Sequence, residues 1–217
     1  MRTVIGVMGS GRPLDGAAFS LAHRVGTLIA ERGWVLLTGG RSAGVMDAAS
    51  RGAKAAGGLV IGVLPDADGS LGSEHLDVAI RTGMGDARNV VNVLSSDVVI
   101  ALPGGSGTLS EVALALKAGK TVVVLGWEPG AALRAAGPGR IMDAASADEA
   151  IELAAGHRVA PDGAGIGHVL ECFRAEEEVD GSAPDRETGA IGLYGRHSGQ
   201  PRGKFLQEQT ADVDAHE

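Results

Sequence analysis

The sequence predicts an α/β fold: a doubly wound, Rossmann-like parallel sheet with helices on both faces, in a single domain. Three observations carry this expectation. Short β-branched-rich runs alternate with longer helical segments. The runs are apolar on both faces, as strands buried between two helical layers must be. Each run also ends in glycine or proline, where a strand gives way to a turn.

In chain order the runs are TVIGVMG at 3–9, WVLLTGG at 34–40, LVIGVLP at 59–65, DVVIALPGG at 97–105 and TVVVLGW at 121–127. Helices are predicted between them, over 15–32, 44–57, 86–95 and 107–118. A weaker strand, Val78-Ala79-Ile80, falls between the third run and the helix at 86–95. After the fifth run, Ile141-Met142-Asp143 reads as a last short strand. Ser146-Ala147-Asp148-Glu149 then starts a helix with a Ser-x-x-Glu capping box. A β-α-β alternation of this kind winds right-handed, and ligands sit beyond the carboxyl ends of its strands. Gly9-Ser10-Gly11, Gly39-Gly40 and Gly104-Gly105-Ser106-Gly107 all fall at those ends. Periodicity fails near Gly156, which divides the chain into a domain over 1–155 and a tail over 156–217. The tail is expected to be largely disordered, with a short helix over Ile166–Arg174 at most.

Composition narrows the function. The chain has 217 residues, enough for one domain with a full core. Aromatic residues make up 3% and glycine numbers 35, so the core is aliphatic and the turns are tight. A formal charge of −8 argues against a nucleic-acid surface, which would need clustered lysine and arginine. It does not argue against a small anion, because backbone N–H groups at a helix start bind phosphate whatever the net charge. The single cysteine, Cys172, excludes an internal disulfide and any multi-cysteine metal site. The six histidines, at 23, 75, 157, 168, 197 and 216, show no metal-ligand spacing, so no metal is expected. The run after Met1 is too short for a signal peptide or membrane span; the expected location is the cytoplasm, with no membrane partner.

The chemistry is expected on the turn Pro103-Gly104-Gly105-Ser106-Gly107-Thr108. Its glycines let the backbone approach a ligand and adopt positive φ. Thr108 is read as opening the next helix, whose exposed N–H groups and dipole would cradle a phosphate. No Gly-Lys-Ser/Thr follows, so this is not a Walker loop. The first strand also lacks a G-x-G-x-x-G fingerprint, which leaves a nicotinamide cofactor unsupported.

Two residues admit a purely structural role as well as a chemical one. Thr108-Leu109-Ser110-Glu111 fits a capping box, in which Glu111 would only satisfy a backbone N–H. On the helix at 86–95, Arg88, Asn92 and Ser95 share one face and would be solvated if Val90, Val91 and Leu94 turn inward. Met46 lies at core spacing, and Lys117 and Lys120 flank a helix end, so none of these is assigned chemistry.

The segment at 39–65 (GGRSAGVMDAASRGAKAAGGLVIGVLP), Arg88, and PGGSGTLSE at 103–111 together resemble the Lonely Guy (LOG) family, long mislabelled lysine decarboxylases. The resemblance runs from about residue 3 to 127 and implies a nucleotide-binding Rossmann domain. Enzymes of that family are phosphoribohydrolases, which cut the N-glycosidic bond of a nucleoside 5′-monophosphate to give base and ribose 5-phosphate. On the resemblance, Arg88 and Glu111 match the catalytic pair. Gly104, Gly105, Gly107 and Thr108 match the phosphate loop, with Ser106 inside it and Gly9, Ser10, Gly39 and Gly40 at the neighbouring strand ends. The cytokinin-type enzymes commonly carry Arg-Lys and Glu-Glu pairs, whereas this chain has Arg88-Asn89 and Ser110-Glu111. The Arg-Asn form, after Thr82-Gly83-Met84-Gly85-Asp86, is more similar to a neighbouring branch that includes molybdenum cofactor carrier proteins. Those bind a phosphate-bearing pterin without hydrolysis. The expected partner is thus a phosphate-bearing small molecule, a nucleotide or the molybdenum cofactor, with no further cofactor required. The resemblance also implies a homo-oligomer.

Overall fold

The structure is a computed structural model that describes residues 1–157. Seven parallel strands form one sheet in the order β4-β3-β2-β1-β5-β6-β7. They are Val4–Met8 (β1), Val35–Thr38 (β2), Leu59–Leu64 (β3), Val78–Arg81 (β4), Val98–Ala101 (β5), Thr121–Leu125 (β6) and Arg140–Ala144 (β7). The helices are Gly16–Glu31 (α1), Gly44–Ala55 (α2), Arg88–Leu94 (α3), Ser106–Lys117 (α4), Ala131–Arg134 (α5) and Ala147–Gly156 (α6). A 3-10 turn over Gly85–Ala87 leads into α3. The Rossmann-like α/β fold expected from the apolar runs is therefore present, and the weak runs at 78–80 and 141–143 are the strands nearest the two edges. The short helix α5 carries no periodic signal. The tail, the Ile166–Arg174 segment and Cys172 lie outside the described residues.

Strand alternation builds two cores, one on each face of the sheet. In β5, Val98 and Ile100 join the layer under α1, α2 and α6, with Ile5, Val25, Ile29, Leu36 and Ile151. Val99 and Ala101 point the other way and pack with Met8, Leu37, Val93, Val112 and Val124 under α3 and α4. All four β5 side chains are fully buried, which is why this run carries no polar residue. Helix α1 is started by Asp15, whose carboxylate accepts from Ala18 N at 2.8 Å. Ser146 caps α6 as expected, its Oγ accepting from Glu149 N at 3.1 Å, while the Glu149 carboxylate reaches back to Ala145 N at 2.8 Å, one residue before the cap.

The strand order reverses at β1, whose neighbours are β2 and β5. A sheet wound outward from such a point opens a crevice between the diverging loops. Here the loops after β1 and β5 are stitched together, with Ser10 N donating to Pro103 O at 3.0 Å and Leu102 N to Met8 O at 2.9 Å.

Candidate functional site

A cleft of about 690 Å³ opens at this point, within the range of about 300–1,000 Å³ usual for small-molecule sites. Three strand ends wall it. Gly9, Ser10 and Arg12 follow β1; Gly39 and Arg41 follow β2; residues 103–108 follow β5. Asp86, Arg88, Asn89 and Glu111 close it from the side of α3 and α4. Arg88, Glu111, Gly9, Ser10, Gly39, Gly104, Gly105, Ser106, Gly107 and Thr108 are thus brought to one cavity.

Gly40 is not part of that wall. It takes φ +73° against β3, where a Cβ would stand 2.8 Å from Leu64 Cδ2, and its N–H donates to Thr38 Oγ1 at 3.0 Å. It makes the turn that brings Gly39 and Arg41 to the cleft. Gly39 has a different task. A Cβ there would lie 2.1 Å from Arg88 Nη1 and 2.7 Å from its Cζ, so the bare glycine is the bed on which the guanidinium rests.

The β5–α4 turn departs from its expected geometry in two ways. Positive φ is not used at Gly104, Gly105 or Gly107; Gly105 is extended, at φ −95° and ψ −157°. What the glycines supply is clearance. At Gly104 a Cβ would come within 2.0 Å of Thr108 Oγ1, and at Gly105 nothing lies within 4 Å. Second, α4 starts at Ser106 with Gly105 as its N-cap, and no side chain caps it. Thr108 is therefore already inside the helix and buried, and the Thr108–Glu111 capping box does not form. The first N–H groups of α4 are left without a side-chain cap at the edge of the cleft, which suits an anion.

Glu111 instead reaches across to α3. Its Oε1 accepts from Asn92 Nδ2 at 2.7 Å, in a contact buried on both sides. This also inverts the face expected for α3. Arg88 and Asn92 are buried, whereas Val90 and Leu94 are 42% and 47% exposed. The polar stripe turns inward because its partners, Glu111 and Ser110, sit on the adjoining helix. Asn89 Nδ2 donates to Ser110 Oγ at 3.0 Å, and Ser110 Oγ donates to Gly107 O at 2.7 Å.

The electrostatics follow from this burial. Desolvation pulls the Arg88 pKa below the usual arginine value, with Glu111 opposing, Arg41 adding to the fall and Asp86 opposing. A guanidinium stays charged through such a shift. Its Nε and Nη1 are buried and have no hydrogen-bond partner among the described residues. Desolvation raises Glu111, against the Asn92 hydrogen bond and the Arg88 charge. The cleft thus sets a buried cation with unpartnered donors beside a carboxyl group whose pKa burial raises.

A family model described as the SLOG cluster4 family matches residues 2–151. The chain belongs to the SLOG cluster4 family. Among solved structures, the molybdenum cofactor binding protein of Rippkaea orientalis is 47% identical, with a TM-score of 0.69, covering 72% of this chain and 97% of that one. The molybdenum cofactor carrier protein of Chlamydomonas reinhardtii is 43% identical with a TM-score of 0.66, over 72% and 97%. A cytokinin riboside 5′-monophosphate phosphoribohydrolase of Mycobacterium tuberculosis is 37% identical over 102 residues, 46% of this chain. The match spans 54% of that relative's length. The resemblance to LOG proteins and to their carrier branch therefore stands.

Sequence reasoning passed over Arg12 and Arg41. Both directly follow glycine clusters at strand ends, and that position was the available signal. Met46, expected as core packing, is buried in the core and also lines the cleft. Lys120 was read as a helix-end cation; it donates to the Leu94 and Ser96 carbonyls, and burial lowers its pKa. Among the described residues no group of three or more histidine, cysteine, aspartate or glutamate side chains could hold a metal ion, and no helix is long and apolar enough to cross a membrane.

Proposed function

We propose that this SLOG cluster4 protein binds a phosphate-bearing, nucleotide-like molecule in the cleft and carries it rather than cleaving it. The phosphate would accept from backbone N–H groups of residues 104–108, and Arg88 would reach it or a neighbouring oxygen through its planar fork. The observation that carries this reading is that buried Arg88, whose Nε and Nη1 have no hydrogen-bond partner among the described residues, lines one cleft with a glycine turn that has open space at Gly105. A buried donor without a partner costs about 1–3 kcal/mol, and a bound anion that draws the guanidinium towards the cleft would offset that cost.

Two features favour carriage. The positions where cytokinin-type enzymes hold a lysine and a second glutamate are here the neutral hydrogen-bonded pair Asn89–Ser110. The similarity to carriers of the molybdenum cofactor also extends over 97% of their length. That cofactor would be cargo, and it is the ligand this reading names first.

Hydrolysis is the second reading, because Arg88 and Glu111 share the cleft. Cleavage of an N-glycosidic bond passes through an oxocarbenium-like state. In its ionised form, Glu111 would stabilise that charge and orient a water towards the sugar, releasing base and ribose 5-phosphate. Incubation with a panel of nucleoside 5′-monophosphates, followed by chromatography for free base, separates the two. The carrier reading expects no free base and a phosphate-bearing ligand retained through purification. Release of base by the wild type but not by Glu111→Gln would establish the hydrolase.

The homo-oligomer expected from the resemblance has a surface to form on. Val90 and Leu94 of α3 and Leu109 of α4 are 42%, 47% and 41% exposed on neighbouring helices beside the cleft, and we assign them to contact with a second copy.

A further inference from the structure

We infer that the cleft is shaped for a ligand bearing two anionic groups, one held at residues 104–108 and the other by Arg12 and Arg41. The inference rests on the phosphate-loop reading above and adds a second subsite to it.

Arg41 is presented by its backbone. Ser42 N donates to Leu71 O at 3.0 Å and Ser73 N to Gly40 O at 2.9 Å, and Arg41 bridges Gly72 in antiparallel fashion. The peptide is clamped on both sides, yet the side chain is exposed and lines the cleft without a hydrogen bond or ion pair among the described residues. Arg12 is held in a comparable way. Its N–H donates to Ser10 Oγ at 3.0 Å, and Val45 N donates to Ser10 O at 2.8 Å, which ties the loop to the start of α2. Only glycine fits at position 44, where a Cβ would lie 2.0 Å from Ser10 O and 2.8 Å from Arg12 O, at φ +69°. The Arg12 side chain is also exposed, lines the cleft and has no partner among the described residues.

Arg24 pairs with Asp148, Arg32 with Glu152, and Arg134 with both Glu128 and Asp143. Of the other exposed arginines, Arg2, Arg51, Arg81 and Arg140 also make no ion pair among the described residues, so it is the place of Arg12 and Arg41 in the cleft that sets them apart. In a chain of formal charge −8, acidic partners are plentiful. The cleft instead gathers Arg12, Arg41 and Arg88 against two carboxyl groups, Asp86 and Glu111, the second with a pKa raised by burial. Arg41 is close enough to Arg88 for the two like charges to disfavour each other. A single phosphate on the 104–108 turn and Arg88 leaves Arg12 and Arg41 without a counter-charge. A ligand with a second anionic group would give them one, and low-dielectric walls focus the field on it.

The test is a calorimetric titration of the full chain with adenosine 5′-monophosphate, adenosine 5′-diphosphate and adenosine 3′,5′-bisphosphate, repeated with inorganic phosphate and pyrophosphate so that the base is not required. At least one two-anion nucleotide should bind about ten-fold or more tighter than the monophosphate, the worth of one charge-assisted hydrogen bond, with a steeper loss in salt. In Arg12→Gln/Arg41→Gln that ratio should fall towards one; both side chains are exposed, and an unchanged melting temperature checks that the variant is folded. Equal wild-type affinities, or a preference that survives in the double variant, overturn the second subsite while leaving the first intact. Failure of every phosphate compound to bind overturns both readings.

Discussion

Asn89 and Ser110 are joined across the α3–α4 boundary by a 3.0 Å hydrogen bond from Nδ2 to Oγ. They are the two positions at which this chain departs from the Arg-Lys and Glu-Glu pattern of the cytokinin-type enzymes. What looks in the sequence like two separate departures is, in space, one neutral hydrogen-bonded pair.

A double-mutant cycle tests that relation. Asn89→Lys alone puts an ammonium in a buried position, and Ser110→Glu alone breaks the bonds to Asn89 and Gly107. Each should lower the melting temperature, and the double variant should recover part of the loss, with a coupling of about 0.5–3 kcal/mol by denaturant unfolding. Strictly additive losses would show that the two positions do not act together.

The bed under Arg88 gives a second prediction. Gly39→Ala places a Cβ where the guanidinium now lies, 2.1 Å from Nη1. The side chain must shift, so the affinity for a nucleoside monophosphate should drop by about 1.5–3 kcal/mol, as on truncating Arg88 itself. The two losses should not add in Gly39→Ala/Arg88→Ala, because they remove the same contact. Additive losses measured by calorimetry would contradict this.

Glu111 should make stability depend on pH. Burial raises its folded pKa above the unfolded value, so the folded state binds the proton more tightly. Its contribution is fully present below the unfolded pKa and is lost as pH rises through the folded one. Glu111→Gln keeps an oxygen for Asn92 and cannot ionise. The variant should melt higher than wild type at neutral pH, and the gap should close as pH falls towards the ordinary carboxylate range. A gap constant across pH would show that Glu111 does not titrate as its burial implies.

The apolar exposure beside the cleft predicts self-association. Leu94→Glu combined with Leu109→Glu should shift the sedimentation coefficient to that of a monomer without lowering the melting temperature of the isolated chain, since both side chains are already exposed. An unchanged oligomer would place the contact elsewhere.

The fold was legible because parallel strands buried on both faces announce themselves as unbroken apolar runs, and glycine at their ends located the cleft. The face of α3 was not, because Val90 and Leu94 suggest an apolar inward stripe unless one knows that Asn92 meets Glu111 on the next helix. The capping box at Thr108 failed for a related reason: the helix is already begun by Gly105, three residues earlier, so Thr108 is not at a cap position. Arg12 and Arg41 depend on three loops meeting in space, which no local pattern records. Gly104 was legible as a close-approach position for a ligand and Gly39 only as a strand end; that Thr108 and Arg88 pack against them is known only from the packing.

The central claim is that a phosphate group sits on the backbone of residues 104–108, and Gly105→Val tests it most directly. A Cβ at this position meets nothing within 4 Å and the backbone is extended, so valine should be accommodated with an unchanged melting temperature. Its side chain would then occupy the space in front of the α4 N-terminus. Calorimetric titration with adenosine 5′-monophosphate should show binding to the wild type and none to the folded variant; equal affinity in both would contradict the account.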